Sequence, residues 1–286
     1  VDTDRVVLAG LSNGGVGAYS IGIRHAWRFS VVQAMAGAPS WLQYTGGVPT
    51  PEERLALLTH SGMHLVESSL NTDFRFYHGR NDAGPMRPAY VTEMEEHMTE
   101  LGLVPNVTWF ELGHDLLYPV HRRGRIYDSL APVVRDLRRS EVRLVTGDYR
   151  AARQHWLSVT RIDAYPRLSR TVATAHAGDI TVESMGVLEL AIDLREAPVG
   201  EGDTLRVVID GDDAYSGPRA PLGHVAHFAR DGGVITGRWR LGFLPAATGL
   251  EKVPGLSGPL TDPYHDGMIH VYGTLGDAEL TARLHH

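Results

Sequence analysis

Over the first part of the chain, short apolar runs alternate with stretches in which apolar residues recur at helical spacing. The runs at residues 5–9, 30–35, 73–78 and 106–111 are brief and rich in β-branched and aromatic residues, which predicts buried strands. Residues 14–25, 51–59, 90–101 and 125–138 carry the helical period between and after them. Pro51 opens the second of these helices with Glu52 and Glu53 behind it, and Gly102 closes the third. Strand and helix in this rhythm predict an α/β unit over residues 1–139, a parallel sheet covered on both faces.

Beyond Arg139 the pattern changes. Residues 141–146, 156–162, 170–174, 180–183, 187–194 and 205–209 read as short strands separated by Gly, Asp and Pro turns. Residues 140–286 therefore predict a β-rich, sandwich-like region without convincing helices. Residues 200–203 and 210–213 read as turns. The acidic 210–213 turn lacks the distal glutamate of a Ca²⁺ loop, so a plain turn is the expectation there. A further apolar run at 268–272 and a helix-like stretch at 277–284 suggest that a new α/β unit opens within 268–284.

Composition narrows the function. The 286 residues are 43% hydrophobic and 21% charged, with a net charge of -7 and no basic run, which argues against a nucleic-acid partner. No apolar stretch is long enough to predict a membrane span. The absence of cysteine excludes disulfides, thiolate metal sites and a cysteine nucleophile. Lys252 is the only lysine and lies in a polar Gly/Pro-rich segment, a poor setting for a Schiff base. His60 and His64 have the spacing of a helical metal pair, but no third ligand is evident, so neither a metal nor any other cofactor is expected.

The candidate chemistry starts with VLAGLSNGGVG at residues 7–17. Glycines after a buried strand serve either a phosphate or an exposed nucleophile. The phosphate reading fails on its spacing: the third glycine of the dinucleotide pattern is replaced by Ser20, and no Walker lysine is present. The serine reading fits. Gly10-Leu11-Ser12-Asn13-Gly14 has the form of a strained strand-to-helix turn that lifts a serine above the sheet, with Gly10 and Gly14 avoiding collisions on either side. The backbone N–H of Asn13 is then an oxyanion donor at a helix N-terminus. A serine nucleophile needs a base, and the base needs an orienting carboxylate. Asp82 follows the third strand and His114 the fourth, in the chain order Ser, Asp, His.

Asn81 and Asp115 are adjacent alternatives to Asp82, with Asp115 too close to the histidine in sequence to reach its Nδ1. His78 reads as structural, His25 as a helix C-terminal cation, and His121 with Arg122 and Arg123 as a solvated loop. His265 and Asp266 read as turn residues. Trp41 and Tyr44 follow the second strand, where they line either a substrate pocket or ordinary packing.

Three stretches, VDTDRVVLAGLSNGG (1–15), FYHGRNDAGPM (76–86) and FELGHDL (110–116), resemble the catalytic half of α/β-hydrolases, in particular the prolyl-oligopeptidase-related and polyhydroxybutyrate-depolymerase-like esterases. The resemblance implies a serine hydrolase that forms an acyl-enzyme, with Ser12 as nucleophile, His114 as base and then acid, and Asp82 as its orienting carboxylate. It favours an ester over a peptide, and a secreted or periplasmic setting. A non-catalytic scaffold is the competing expectation. Residues 255–274 resemble the C-terminal extension of some large bacterial hydrolases. The resemblance also implies earlier strands of the sheet and a loop supplying a second oxyanion N–H. The expectation is that a second polypeptide or a preceding segment completes the sheet.

Overall fold

The computed structural model describes residues 2–121, 125–200, 202–246, 249 and 251–255. The strand and helix expected within 268–284, together with His265, Asp266, Arg122 and Arg123, lie outside the described residues.

Four parallel strands, β1 (Val7–Leu11), β2 (Val31–Met35), β3 (Asp73–Gly79) and β4 (Val107–Phe110), pair in sequence order. Sequential parallel order with right-handed crossovers puts the connecting segments on one face. On that face Val32 and Ala34 of β2 pack against Tyr19, Leu65, Phe76, Val91 and Met94. Val31 and Met35 alternate to the other face and meet Leu116, Val120 and Leu130. All of β2 is buried, and its apolar run is interrupted only at Gln33, whose side chain is buried as well.

Helix α1 (Asn13–Gly17) continues into a π-type segment, Ala18–Gly22. Next come α2 (Trp41–Thr45) and α3 (Pro51–Leu58), the latter closed at its start by a reciprocal Thr50/Glu53 capping box. A 3-10 stretch, Gly62–Asn71, leads into β3, and α4 (Pro88–Glu100) joins β3 to β4. After β4 come α5 (Leu117–His121) and α6 (Arg125–Leu130). The helix expected over 125–138 stops at Leu130. Pro132 lacks the N–H that a further turn needs and disfavours helical backbone at Ala131. The chain beyond is strapped to the start of the protein instead: Arg135 N donates to Asp4 O (2.8 Å), and its guanidinium pairs with the Asp4 carboxylate (2.8 Å).

The second half forms two five-stranded sheets. One has β5 (Glu141–Thr146), β8 (Ser169–His176), β9 (Asp179–Met185), β11 (Thr204–Ile209) and β12 (Asp212–Pro218); the other has β6 (Arg153–Gln154), β7 (Leu157–Ile162), β10 (Val187–Asp193), β13 (Val225–Asp231) and β14 (Arg238–Leu241). Pairing is antiparallel except between β9 and β11. Trp156, Leu157, Ile180, Leu190, Val207 and Phe228 belong to the core of this half. The expected turn at 210–213 is confined to Asp210-Gly211, since Asp212 and Asp213 already open β12. The Asp210 carboxylate accepts from Ser184 N and Oγ, Arg230 and Trp239 Nε1, so its lone pairs are engaged by internal donors. No group of His, Asp and Glu suited to a metal occurs among the described residues.

The two halves are tied by polar groups. Asn71 Nδ2 donates to Arg143 O (2.6 Å), Ser68 Oγ accepts from Val145 N (2.9 Å), and Arg170 holds the buried Glu67 (2.7 Å). Arg24 pairs with Asp148 across the same seam. No described helix is long and apolar enough to cross a membrane.

Candidate active site

Ser12 sits between the end of β1 and the start of α1, with φ 60° and ψ -119°. That conformation is costly for a residue with a side chain, on the order of 1–3 kcal/mol, and is held by its surroundings. Ser12 N donates to Met35 O (2.9 Å), while Ser12 O accepts from Val16 N (3.0 Å) as the first helical bond. A Cβ on Gly10 would lie 2.0 Å from Gly14 O, so the turn closes only over glycine there. A Cβ on Gly14 meets nothing within 4 Å outside its own helix, so the collision expected at both glycines exists at Gly10 alone. The second tight approach falls at Gly15 and Gly37, where a Cβ on Gly15 would stand 2.3 Å from Met35 O. Gly10→Ala should therefore lower stability and displace Ser12 Oγ from His114 together. Gly14→Ala should leave both nearly unchanged, within about 1 kcal/mol by thermal or urea unfolding.

Asp82 and His114 lie past the carboxyl ends of β3 and β4, on the same edge of the sheet as Ser12, where open parallel sheets place their sites. Two backbone bonds lock their loops together: Arg80 N donates to Phe110 O (2.8 Å) and Asn81 N to Leu112 O (2.9 Å). Gly79 makes this approach possible, since a Cβ there would be 2.2 Å from Gly113 O. The result is a continuous relay. His114 Nε2 stands 2.8 Å from Ser12 Oγ, and His114 Nδ1 stands 2.9 Å from Asp82 Oδ2. The other oxygen of Asp82 accepts from Ala83 N (2.7 Å), and its side chain is only 3% exposed. The histidine ring is half open to solvent. Asn81 contributes backbone bonds only, and Asp115 is exposed; of these acidic or amide neighbours, Asp82 alone meets the ring.

His78 is wholly buried. Its Nε2 donates to Met86 O (2.7 Å), and its ring packs edge-on against Trp109 at 5.7 Å. Burial pushes its pKa below the ordinary histidine range, a push the Met86 carbonyl opposes. It pins the far end of the loop that carries Asp82. His60 and His64 are not part of any metal-ligating group among the described residues, and burial lowers the pKa of each.

Both residues on α2 come close to the serine turn. Tyr44 OH donates to Asn13 Oδ1 (2.8 Å), and Trp41 packs edge-on against Tyr44 at 5.5 Å. Together they lean on a small apolar cluster of Val16, Ala38 and Met86. Sequence reasoning did not single out three large apolar residues that flank His114 in the chain, Leu112, Leu117 and Tyr118, which are 43%, 51% and 69% exposed. Their signal was present: large apolar residues in a stretch otherwise suited to a solvated loop. Gly79 and Gly37 were missed as well, because their role lies in approaches between distant segments.

No protein-family profile matches the chain, and no curated protein matches it in sequence. Solved structures do resemble part of it. One, described as a dipeptidyl aminopeptidase IV of Bacteroides ovatus, is 18% identical with a TM-score of 0.41, over 46% of this chain and 20% of its own. An acylaminoacyl peptidase in complex with Z-Gly-Gly-Phe-chloromethyl ketone is 14% identical with a TM-score of 0.38, over 48% of this chain and 25% of its own. The dipeptidyl peptidase 4 of Porphyromonas gingivalis is 18% identical with a TM-score of 0.37, over 46% of this chain and 19% of its own. The chain thus spans a quarter or less of the length of these structures.

Proposed function

We propose that this chain carries the catalytic centre of a serine hydrolase that cleaves a carboxylic ester or a peptide through an acyl-enzyme. The observation that carries this reading is the unbroken Ser12–His114–Asp82 relay, built on a serine held in a strained turn at a helix N-terminus. Ser12 Oγ passes its proton to His114 Nε2 as it attacks the carbonyl carbon. His114 returns that proton to the leaving alcohol or amine, and water then repeats the sequence to release the acid. Asp82 fixes the tautomer with the proton on Nδ1 and stabilises the imidazolium that forms. Asn13 N–H donates to the oxyanion, favoured by the helix N-terminus.

Trp41 and Tyr44 form a wall of the substrate pocket in this reading, because Tyr44 reaches the residue that follows the nucleophile. β1 leaves its outer edge unpaired among the described residues, which is where a second polypeptide or a further segment would add a strand. A triad serves esters and peptides alike, so both belong in the assay.

The test is labelling with a fluorophosphonate followed by peptide mass mapping. One adduct on the peptide bearing Ser12, absent from Ser12→Ala, is the expected result. A folded protein that takes no adduct would overturn the reading in favour of a non-catalytic scaffold.

A further inference from the structure

Far from the serine, a cleft of about 400 Å³ opens between the two halves of the molecule. Ser12 precedes the first helical turn, whereas Arg24 and His25 close the same helix. At 1.5 Å per residue the two places are separated by about 18 Å. The cleft is walled by Arg24, His25 and His60 from the parallel-sheet half, and by Asp148, Arg150 and Lys252 from the other. It is large enough for a metabolite-sized ligand.

The chemistry of the wall is one-sided. Three permanent cations and two imidazoles face a single carboxylate. That carboxylate is already committed: Asp148 pairs with Arg24 through Oδ2 and accepts from Arg150 N through Oδ1 (2.9 Å). Lys252 makes no ion pair or hydrogen bond among the described residues. Neither His25 nor His60 has a side-chain hydrogen bond there. Burial, followed by the nearby Arg24 cation, lowers both imidazole pKa values, His25 to about 4, so at neutral pH each ring is uncharged and offers one N–H donor and one acceptor nitrogen. The wall thus sets three cationic donors against one anionic acceptor. It is also a patch of positive potential on a chain whose net charge is -7. A neighbouring depression shares His25 and Arg150 and adds Arg28, which extends the positive lip.

The floor is close-packed. A Cβ on Gly147 would stand 2.4 Å from Pro166 O and 2.7 Å from Thr59 Cγ2, so the cleft narrows where the two halves touch.

We propose that this cleft is a binding site for a small organic anion, a phosphomonoester or a dicarboxylate, which bridges the two halves of the protein. The shared chemistry is a compact oxyanion met by guanidinium, ammonium and imidazole donors. A ligand held by both halves stabilises their seam by mass action, so occupancy raises the melting temperature.

The experiment is isothermal titration calorimetry together with thermal melting, at fixed ionic strength. The two probes are inorganic phosphate and succinate, and the proteins are wild type, Lys252→Glu and Lys252→Met. The expected result is a saturable one-to-one isotherm and a raised melting temperature with at least one probe. Lys252→Glu should weaken binding about tenfold or more, the worth of one charge-assisted contact or greater, with Lys252→Met falling between. Saturation by phosphate alone assigns a phosphomonoester, and saturation by succinate alone a dicarboxylate. The inference fails if neither probe saturates up to about 10 mM, a limit set by millimolar affinity. It fails equally if both Lys252 variants, shown folded by circular dichroism, bind as wild type does. Neither readout involves turnover, so the outcome is independent of the serine hydrolase reading. Fluorophosphonate labelling of Ser12 should proceed at an unchanged rate in both variants.

Discussion

Ser12→Ala should lower kcat/KM by about a millionfold on any substrate the protein turns over, measured in parallel on a p-nitrophenyl acyl ester and an aminoacyl p-nitroanilide. The loss is that large because the members of a relay act as a unit: without Oγ, His114 has no proton to take and no nucleophile to release. What remains is the contribution of binding and of the oxyanion donor, on the order of a thousandfold above water. Folding should be nearly untouched. Alanine carries a Cβ like serine and meets the same cost at φ 60°, and the bonds that hold the turn, Ser12 N to Met35 O and Val16 N to Ser12 O, belong to the backbone. Among the described residues the side-chain hydroxyl is bonded only to His114, which is half exposed and can turn to water. A variant that keeps activity within about tenfold of wild type would show that the chemistry runs elsewhere, since no loss from a spectator serine approaches the expected one.

Much of this arrangement was legible in the chain, for a local reason. Ser12, Asp82 and His114 each stand one to a few residues past a short apolar strand, and strand ends on one edge of a parallel sheet converge without any long-range information. The parallel sheet and the β-rich region followed from two hydrophobic periods that differ plainly. What escaped was set by contacts between distant segments. The strands Asp212–Pro218 and Arg238–Leu241 went unread, because Asp213, Arg238 and Arg240 interrupt the apolar alternation and are accommodated by cross-strand partners, Arg206 for Asp213 and Asp231 for Arg240. The helix expected to 138 ended early at a proline that its apolar period had masked. The two glycines of the serine turn look alike in sequence, yet only Gly10 has a carbonyl in its way; the other close approach, Gly15 to Gly37, joins segments on either side of β2. The Tyr44–Asn13 and His78–Met86 bonds are of the same kind, visible only once the loops are placed.

Asp82→Asn should reduce kcat by about ten-thousandfold near neutral pH with a much smaller change in KM. In the native site the carboxylate accepts at both oxygens, Oδ2 from His114 Nδ1 at 2.9 Å and Oδ1 from Ala83 N at 2.7 Å. Asparagine keeps one acceptor and gains a donor. Ala83 N is a fixed backbone donor, so the amide oxygen stays with it and the NH₂ group turns toward the ring. His114 must then accept at Nδ1 and carry its proton on Nε2, the wrong tautomer for a base that faces Ser12 Oγ 2.8 Å away. Substrate contacts are unaffected, so the loss appears in kcat. Because the replacement is nearly isosteric and sits in the same loop pinned by His78, the fold should survive, and near-wild-type melting separates a tautomer effect from collapse of the loop. Proton-detected NMR of the imidazole provides the second readout: the Nδ1–H signal of His114 present in wild type should be lost and an Nε2–H signal gained. If Asp82→Asn retains kcat within about tenfold, or the tautomer does not change, Asp82 is a neighbour of His114 and not the group that orients it.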